Sequence, residues 1–127
     1  MDINQLTSKI IKAAITVHKE LGPGLLESVY QACMIIELRH MALDVRSEVP
    51  IPIEYRGQEV SGEGFRTDLL VEDAVIVELK SVEKAQDVHK KQLLTYLKLT
   101  EKKLGLLINY NEVLLKDGIT RIANNLP

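Results

Sequence analysis

The chain has 127 residues, of which 46% are hydrophobic and 27% are charged. This length and composition suit one domain with a buried core and exclude a disordered chain, so we expect a single domain over residues 1–127. The net charge of −2 excludes a protein that coats nucleic acid through global basicity alone.

The sequence lacks the usual marks of membrane and secreted proteins. Its apolar runs, such as Leu104 to Ile108, fall well short of the ~20 residues that cross a bilayer, and the first residues lack the basic region of a secretory signal. Cys33 is the single cysteine, which excludes an intrachain disulfide and indicates a buried, inert thiol in a reducing compartment. We expect a cytoplasmic protein without membrane contact.

Two helices are predicted at the start of the chain. Apolar residues recur at helical spacing from Ile3 to Val17, and Leu21 stands just before the helix-breaking run Gly22-Pro23-Gly24. A second helical pattern extends from about Leu25 to Met41.

The apolar period then changes to two. Residues 45–53 alternate as a strand does, and their two prolines place that strand at a sheet edge, followed by a turn at residues 55–58. Residues 66–71 and 75–80 indicate the two strands of a hairpin with the three-residue loop Glu72-Asp73-Ala74.

The last third of the chain adds a helix and further strands. Residues 86–99 show helical spacing, and residues 104–108 indicate a strongly apolar strand. A final hairpin is predicted from residues 113–115 and 119–122, because the intervening Lys116-Asp117-Gly118 contains a strong hairpin-turn dipeptide. The predicted order ααβββαβ(ββ) indicates a mixed α/β sandwich.

Asp68, Glu78 and Lys80 carry the strongest functional signal. Side chains alternate along a strand, so Glu78 and Lys80 share one face. With a three-residue loop Asp68 lies directly opposite Glu78, about 5 Å away at Cβ, whereas a two-residue loop would break this pairing. Two carboxylates at that spacing repel each other unless a divalent cation lies between them, a conflict that indicates function.

These residue types suit the hydrolysis of phosphodiester bonds. Carboxylate oxygens hold Mg²⁺ or Mn²⁺, which polarise a phosphate group. The Lys80 ammonium can orient the attacking water or stabilise the charge that builds on the phosphoryl oxygens. Taken alone, however, Glu78 and Lys80 also fit a modest ion pair on an exposed strand face.

Four motifs follow one another along the chain: Gly24-x-x-Glu27-x-x-Tyr30, Gly64-x-x-x-Asp68, Glu78-x-Lys80 and Gln92-x-x-x-Tyr96. The last three resemble the motifs of the RecB-like exonuclease branch of the PD-(D/E)xK nuclease superfamily, and the first resembles the signature of the small GxxExxY group. The resemblance spans roughly residues 18–96. It implies a restriction-endonuclease-like αβββαβ core with a mixed sheet flanked by helices, which agrees with the element order predicted above.

The resemblance also implies roles for individual residues. Asp68 and Glu78 become ligands of Mg²⁺ or Mn²⁺, and Lys80 becomes the catalytic lysine. Glu27 becomes a further acidic residue of the catalytic site, although a first-turn carboxylate is also favoured by the helix dipole. Thr67 stands where the motif has proline, a common variation that leaves the metal role of Asp68 intact.

Residues that bind nucleic acid are expected on the third helix. The resemblance implies that Gln92 and Tyr96, one helical turn apart on one face, support or contact DNA; a surface glutamine beside a half-buried tyrosine is the alternative. Residues 81–103 carry six lysines and a net charge of +3. This charge suits phosphate binding by Lys84 and Lys91 or, alternatively, a solvated helix face.

The three histidines carry a weaker signal. His18 lies near the end of the first helix, where a charged histidine is favoured, and we expect it to face solvent. Some RecB-like nucleases place a metal-binding histidine upstream of the acidic pair, so a metal role for His18 is the alternative. His40 and His89 are expected at the surface.

Two functions remain for this sequence. The first is a metal-dependent deoxyribonuclease, and the second is a non-catalytic module that keeps the fold and binds nucleic acid or a protein partner. The intact set of Asp68, Glu78 and Lys80 favours the first. Because 127 residues leave little beyond the core to clamp DNA, a homodimer or larger complex is expected to supply the clamp.

Overall fold

The computed structural model describes residues 1–60 and 65–125. Within these ranges the predicted helices are confirmed as α1 (Ile3–Leu21), α2 (Glu27–His40) and α3 (Asp87–Thr100). α1 begins at a capping box, in which the Gln5 amide donates to the Asp2 carboxylate and the Asp2 amide donates to the Gln5 side chain. None of the described helices is long and apolar enough to cross a bilayer.

The strands of the described residues form two sheets. They are β1 (Val45–Pro50), β2 (Glu54–Tyr55), β3 (Gln58–Glu59), β4 (Arg66–Val71), β5 (Val75–Lys80), β6 (Leu104–Asn109) and β7 (Ile119–Ala123). The main sheet has the order β1-β4-β5-β6-β7, with β5 and β6 parallel and the other neighbours antiparallel. β2 and β3 form a separate ribbon. The predicted α/β fold, a mixed sheet flanked by helices, is confirmed.

The predicted edge strand is confirmed for residues 45–50 but not for 51–53, and both the β4–β5 loop and the turn at residues 55–58 are confirmed. β1 lies at one edge of the main sheet. Val71 pairs with Val75, so the loop between β4 and β5 has three residues. In the turn of the ribbon, Arg56 and Gly57 both have positive φ, 53° and 80°, the mirror-image turn that matches the twist of a two-residue hairpin.

The predicted final hairpin is wrong. Residues 113–115 form no strand; instead Leu115–Gly118 is a short 3₁₀ turn, and β7 pairs antiparallel along β6. Leu115 is buried in the core between the helices and the sheet. Burial of this side chain and pairing of β7 with a long central strand outweigh the local preference of Asp-Gly for a hairpin turn.

Helices cover both faces of the main sheet. α1 and α2 pack on one face and build the larger core with side chains such as Val77 and Leu106. α3 packs on the other face, over a smaller cluster that includes Ile76. A Cβ at Gly105 would lie 2.8 Å from Leu93 Cδ1, so glycine in β6 permits this close approach of α3.

Candidate active site

The open end of the β4–β5 hairpin holds the two predicted carboxylates. Backbone pairing runs from the loop as far as Leu69 and Val77, and Asp68 and Glu78 come next. The Asp68 amide donates to Glu78 Oε1 at 3.3 Å, and the Leu79 amide donates to Asp68 Oδ2 at 2.7 Å. Each carboxylate is thus held by the backbone of the opposite strand.

Glu78 is withdrawn from water and Asp68 is half-buried. Glu78 is only 6% exposed, and burial, followed by the charge of Asp68, raises its pKa to about 9. Burial likewise raises the pKa of Asp68, although the hydrogen bond from Leu79 opposes this shift. Glu78 therefore does not lie on an exposed strand face, as a simple surface ion pair would require.

Among the described residues, no cationic side chain pairs directly with these carboxylates. The ion pairs in this part of the chain join Asp73 to Arg46 and to Lys102, at 2.9 and 3.2 Å. Lys80 is half-buried at the end of β5, and its charge only partly offsets the raised pKa values of the acidic pair. Ionising both carboxylates here without a counter-ion is unfavourable, so this end of the hairpin suits a bound cation that would replace the proton on Glu78.

α3 brings an aromatic side chain to the acidic pair. Tyr96 is 6% exposed, and its pKa is raised by burial and then by the charges of Glu78 and Asp68. Phe65, the residue before β4, packs edge-on against Tyr96 with 6.2 Å between the ring centroids. Gln92, one turn earlier on α3, is exposed. The two residues of the predicted helical motif thus differ in burial.

The donor chemistry fits a hard divalent cation such as Mg²⁺ or Mn²⁺. Such ions prefer carboxylate oxygens and keep several waters or substrate oxygens as further ligands. Over residues 1–60 and 65–125, no group of three or more His, Cys, Asp or Glu side chains converges in a way that could hold a metal. Asp68 and Glu78 are therefore the two side chains on which a metal site would depend.

A family model of the PD-(D/E)XK nuclease superfamily matches residues 4–122 of the chain. The chain belongs to this superfamily. The match includes nearly every described element from α1 to β7 and the acidic pair with its lysine. Searches of curated proteins and of solved structures found no match. Membership implies hydrolysis of phosphodiester bonds in nucleic acid.

In this PD-(D/E)XK domain, a buried asparagine holds the segment that follows Lys80. Asn109 ends β6 opposite Lys80 and is fully buried. The Val82 amide donates to Asn109 Oδ1 at 3.1 Å, and Asn109 Nδ2 donates to the Val82 carbonyl at 2.9 Å. Sequence reasoning missed this residue, although a polar side chain that ends an apolar strand is a usable signal.

The Gly24 to Tyr30 motif has a structural role near the end of β5. The Tyr30 hydroxyl donates to the Gly22 carbonyl at 2.6 Å, which secures the loop before α2. The Ser81 hydroxyl donates to the Leu25 carbonyl at 2.6 Å, so this loop contacts the residue that follows Lys80. Glu27 is exposed at the first residue of α2, and it joins no metal-binding group within the described residues.

α2 also reaches the acidic pair through a residue that sequence reasoning missed. Gln31 Nε2 donates to the Asp68 carbonyl and to Glu48 Oε1, at 3.2 Å in both cases. Glu48 lies in β1, and its charge is one of the causes that raise the pKa of Asp68. No local pattern announces this contact, because its three residues come from three separate elements.

The remaining predicted site residues lie outside this contact network. Lys84 is exposed between β5 and α3, and Lys91 is exposed on α3. Neither side chain forms an ion pair with a described residue. Gly64 lies outside the described residues.

The expectation that His18 faces solvent is wrong. His18 is 8% exposed, and its Nε2 donates to the Glu112 carbonyl at 2.7 Å. It also joins no metal-binding group in the described parts of the chain. His89 is half-buried and accepts the Gln86 amide at the start of α3, whereas His40 is exposed as expected. Cys33 is half-buried rather than fully buried.

Proposed function

We propose that this chain is a metal-dependent deoxyribonuclease of the GxxExxY group, in the RecB-like branch of its superfamily. The observation that carries the proposal is the pair of buried Glu78 and half-buried Asp68, which lacks a cationic partner among the described residues. DNA is the proposed substrate because of the motif resemblance to RecB-like exonucleases. A reducing cytoplasm is the proposed location, given the single cysteine.

In this proposal the acidic pair holds Mg²⁺ or Mn²⁺. When bound, such an ion polarises the phosphate and neutralises part of its charge. The Lys80 ammonium is placed to orient the attacking water or to stabilise the charge that builds on the phosphoryl oxygens. Glu27, at the same end of the sheet, is proposed as an additional acidic residue of the catalytic site.

The same proposal assigns substrate contacts to α3 and the segment before it. Lys84 and Lys91 are exposed cations, suited to contacts with backbone phosphates. Gln92 is exposed on α3 and can reach substrate, while Tyr96 supports the acidic pair from the same helix. A homodimer or larger complex would supply the grip on DNA that a small domain lacks.

Cleavage assays test the proposal. Purified protein with Mg²⁺ or Mn²⁺ should cut linear or nicked DNA, and EDTA should abolish the activity. The Glu78→Gln variant, purified in parallel, should be inactive and so exclude a contaminating nuclease. Absence of cleavage by the wild type across single-stranded, double-stranded and branched DNA and RNA, with either metal, would favour a non-catalytic module.

A further inference from the structure

Phe65 is an exposed aromatic ring at the edge of the acidic site. It is the single phenylalanine of the chain and is 44% exposed. Its ring packs edge-on against Tyr96 at an interplanar angle of 61°, so one ring face is not occupied by this tyrosine. Tyr96 in turn packs in one buried cluster with Leu70 of β4 and Ile76 of β5, which lie two residues from Asp68 and Glu78 on those strands. The aromatic pair thus extends from the strands of the carboxylates to the protein surface.

Phe65 lies immediately before β4, close along the chain to Asp68. Two residues, Arg66 and Thr67, separate it from Asp68, which places the two Cα atoms roughly 10 Å apart along an extended chain. A nucleoside that adjoins a phosphate at the acidic pair and extends toward Phe65 would therefore come within reach of this ring. Arg66, between the two residues, is exposed and offers a cation for the flanking backbone.

The tyrosines of the chain differ from Phe65 in exposure or in contact with the site. Among the described tyrosines, three are buried (Tyr30, Tyr96 and Tyr110), and Tyr55 is 68% exposed in the two-stranded ribbon. Tyr55 makes no ring contact with the aromatic residues of the site. Phe65 therefore combines exposure with contact to the site, and Tyr55 provides a matched exposed control.

We propose that Phe65 stacks on an unpaired nucleobase next to the scissile phosphate, so that the enzyme prefers a single-stranded or frayed strand. This inference rests on the phosphodiesterase function proposed above and adds its substrate class. Every nucleobase offers a π-face to an aromatic side chain, which makes such stacking sequence-tolerant. Bases inside a duplex have both faces covered by their neighbours, so Phe65 can reach only a base that has left the stack.

A cleavage experiment compares one strand in single-stranded and blunt duplex form. Phe65→Ala should lower kcat/KM on the single strand by roughly 5- to 100-fold, the usual range for loss of one base stack, and have little effect on the duplex. Phe65→Leu keeps an apolar side chain against Tyr96 but has no ring, so it should lose the preference for the single strand to the same extent as Phe65→Ala. Tyr55→Ala should keep the wild-type ratio. Melting curves of all variants confirm that they are folded.

A second cleavage experiment uses a substrate that lacks the base of the nucleotide next to the scissile phosphate. Loss of this base should slow the wild type but have little further effect on Phe65→Ala, because each change removes the same contact. Equal abasic effects in both proteins would overturn the inference, as would an unchanged strand preference in Phe65→Ala or its equal loss in Tyr55→Ala. The same substrates in DNA and RNA distinguish the two sources of an unpaired base.

A binding measurement separates this inference from the proposed activity. The chain contains no tryptophan, so Phe65→Trp introduces a single fluorescent reporter. A single-stranded oligonucleotide, titrated with Mg²⁺ into Phe65→Trp combined with Lys80→Ala, should quench that fluorescence more strongly than the duplex does. Quenching without cleavage by the wild type would leave stacking supported and the nuclease proposal refuted. Cleavage by the wild type with no difference in quenching would refute stacking alone.

Discussion

The two ends of the β4–β5 hairpin differ in whether cationic side chains neutralise their carboxylates. At the loop end Asp73 is exposed, and its carboxylate pairs with Lys102 and Arg46. The hydrogen bond and charge of Lys102, followed by the charge of Arg46, lower the pKa of Asp73. The chain itself therefore supplies the cations that stabilise this carboxylate.

At the open end the hairpin holds one buried and one half-buried carboxylate, Glu78 and Asp68, without such partners among the described residues. Burial and mutual repulsion raise the pKa of Glu78 to about 9, and burial raises that of Asp68. Lys80 stands nearby without an ion pair to either among the described residues. The comparison indicates that the described residues do not neutralise the carboxylates at this end, so a bound cation would have to do so. A metal-dependent site requires this arrangement.

The largest expected effect concerns turnover at the open end. Lys80→Ala should lower kcat by at least roughly 10²–10³-fold, because it removes the positive charge that acts on the phosphoryl group, not a metal ligand. Calorimetric titration should show nearly unchanged binding of Mn²⁺. Lys84→Ala is the matched control and should mainly raise KM. Loss of metal affinity in Lys80→Ala would instead give this lysine a structural role.

A smaller effect is expected when the metal is added to the folded protein. Binding confined to the native state stabilises by about 2.7 kcal/mol when the ion is present at a hundred times its Kd. Asp68→Asn should relieve the repulsion, melt higher than wild type in EDTA, and gain little from Mg²⁺ or Mn²⁺. Asp73→Asn should retain the wild-type shift in scanning fluorimetry. Equal shifts in wild type and Asp68→Asn would mean that Asp68 is not a ligand.

The smallest effect is a pH dependence that distinguishes the two ends without metal. The pKa of Glu78 rises from 4.5 to about 9 on folding. Between these values the unfolded chain releases a proton that the folded protein retains, so stability falls as pH rises, by up to about 1.4 kcal/mol per pH unit. Chemical denaturation in EDTA from about pH 6 to 8 should show this slope.

At the loop end, the carboxylate of Asp73 affects the pH dependence of stability in the opposite direction. Its lowered pKa means that the contribution of Asp73 is present above its ordinary value of 3.8 and is lost only as pH falls through the lower folded value. Glu78→Gln should therefore flatten the slope near neutral pH, whereas Asp73→Asn should leave it unchanged. A slope that survives in Glu78→Gln would assign the titration to another group.

Local periodicity was sufficient to predict much of the fold. The three helices and the β4–β5 hairpin follow from apolar spacing of 3.6 and 2 residues, which reflects contacts between near neighbours in the chain. The predicted opposition of Asp68 and Glu78 depended on a three-residue loop, which the pairing of Val71 with Val75 confirms. The position of β7 was not predicted correctly. β7 pairs with β6, which is distant in the chain, and the turn dipeptide before β7 does not indicate this partner.

Strand alternation and motif order identify Asp68 and Glu78 from the sequence, because both are local properties, but the pairing of Val71 with Val75 is what settles their register. Three features became visible only in the three-dimensional structure. Glu78 is buried, and His18 turns away from solvent. Gln31 joins α2 to Asp68 and Glu48. These features arise where elements distant in the chain meet. Burial and the raised pKa of a carboxylate depend on what packs over it, which no spacing along the chain encodes.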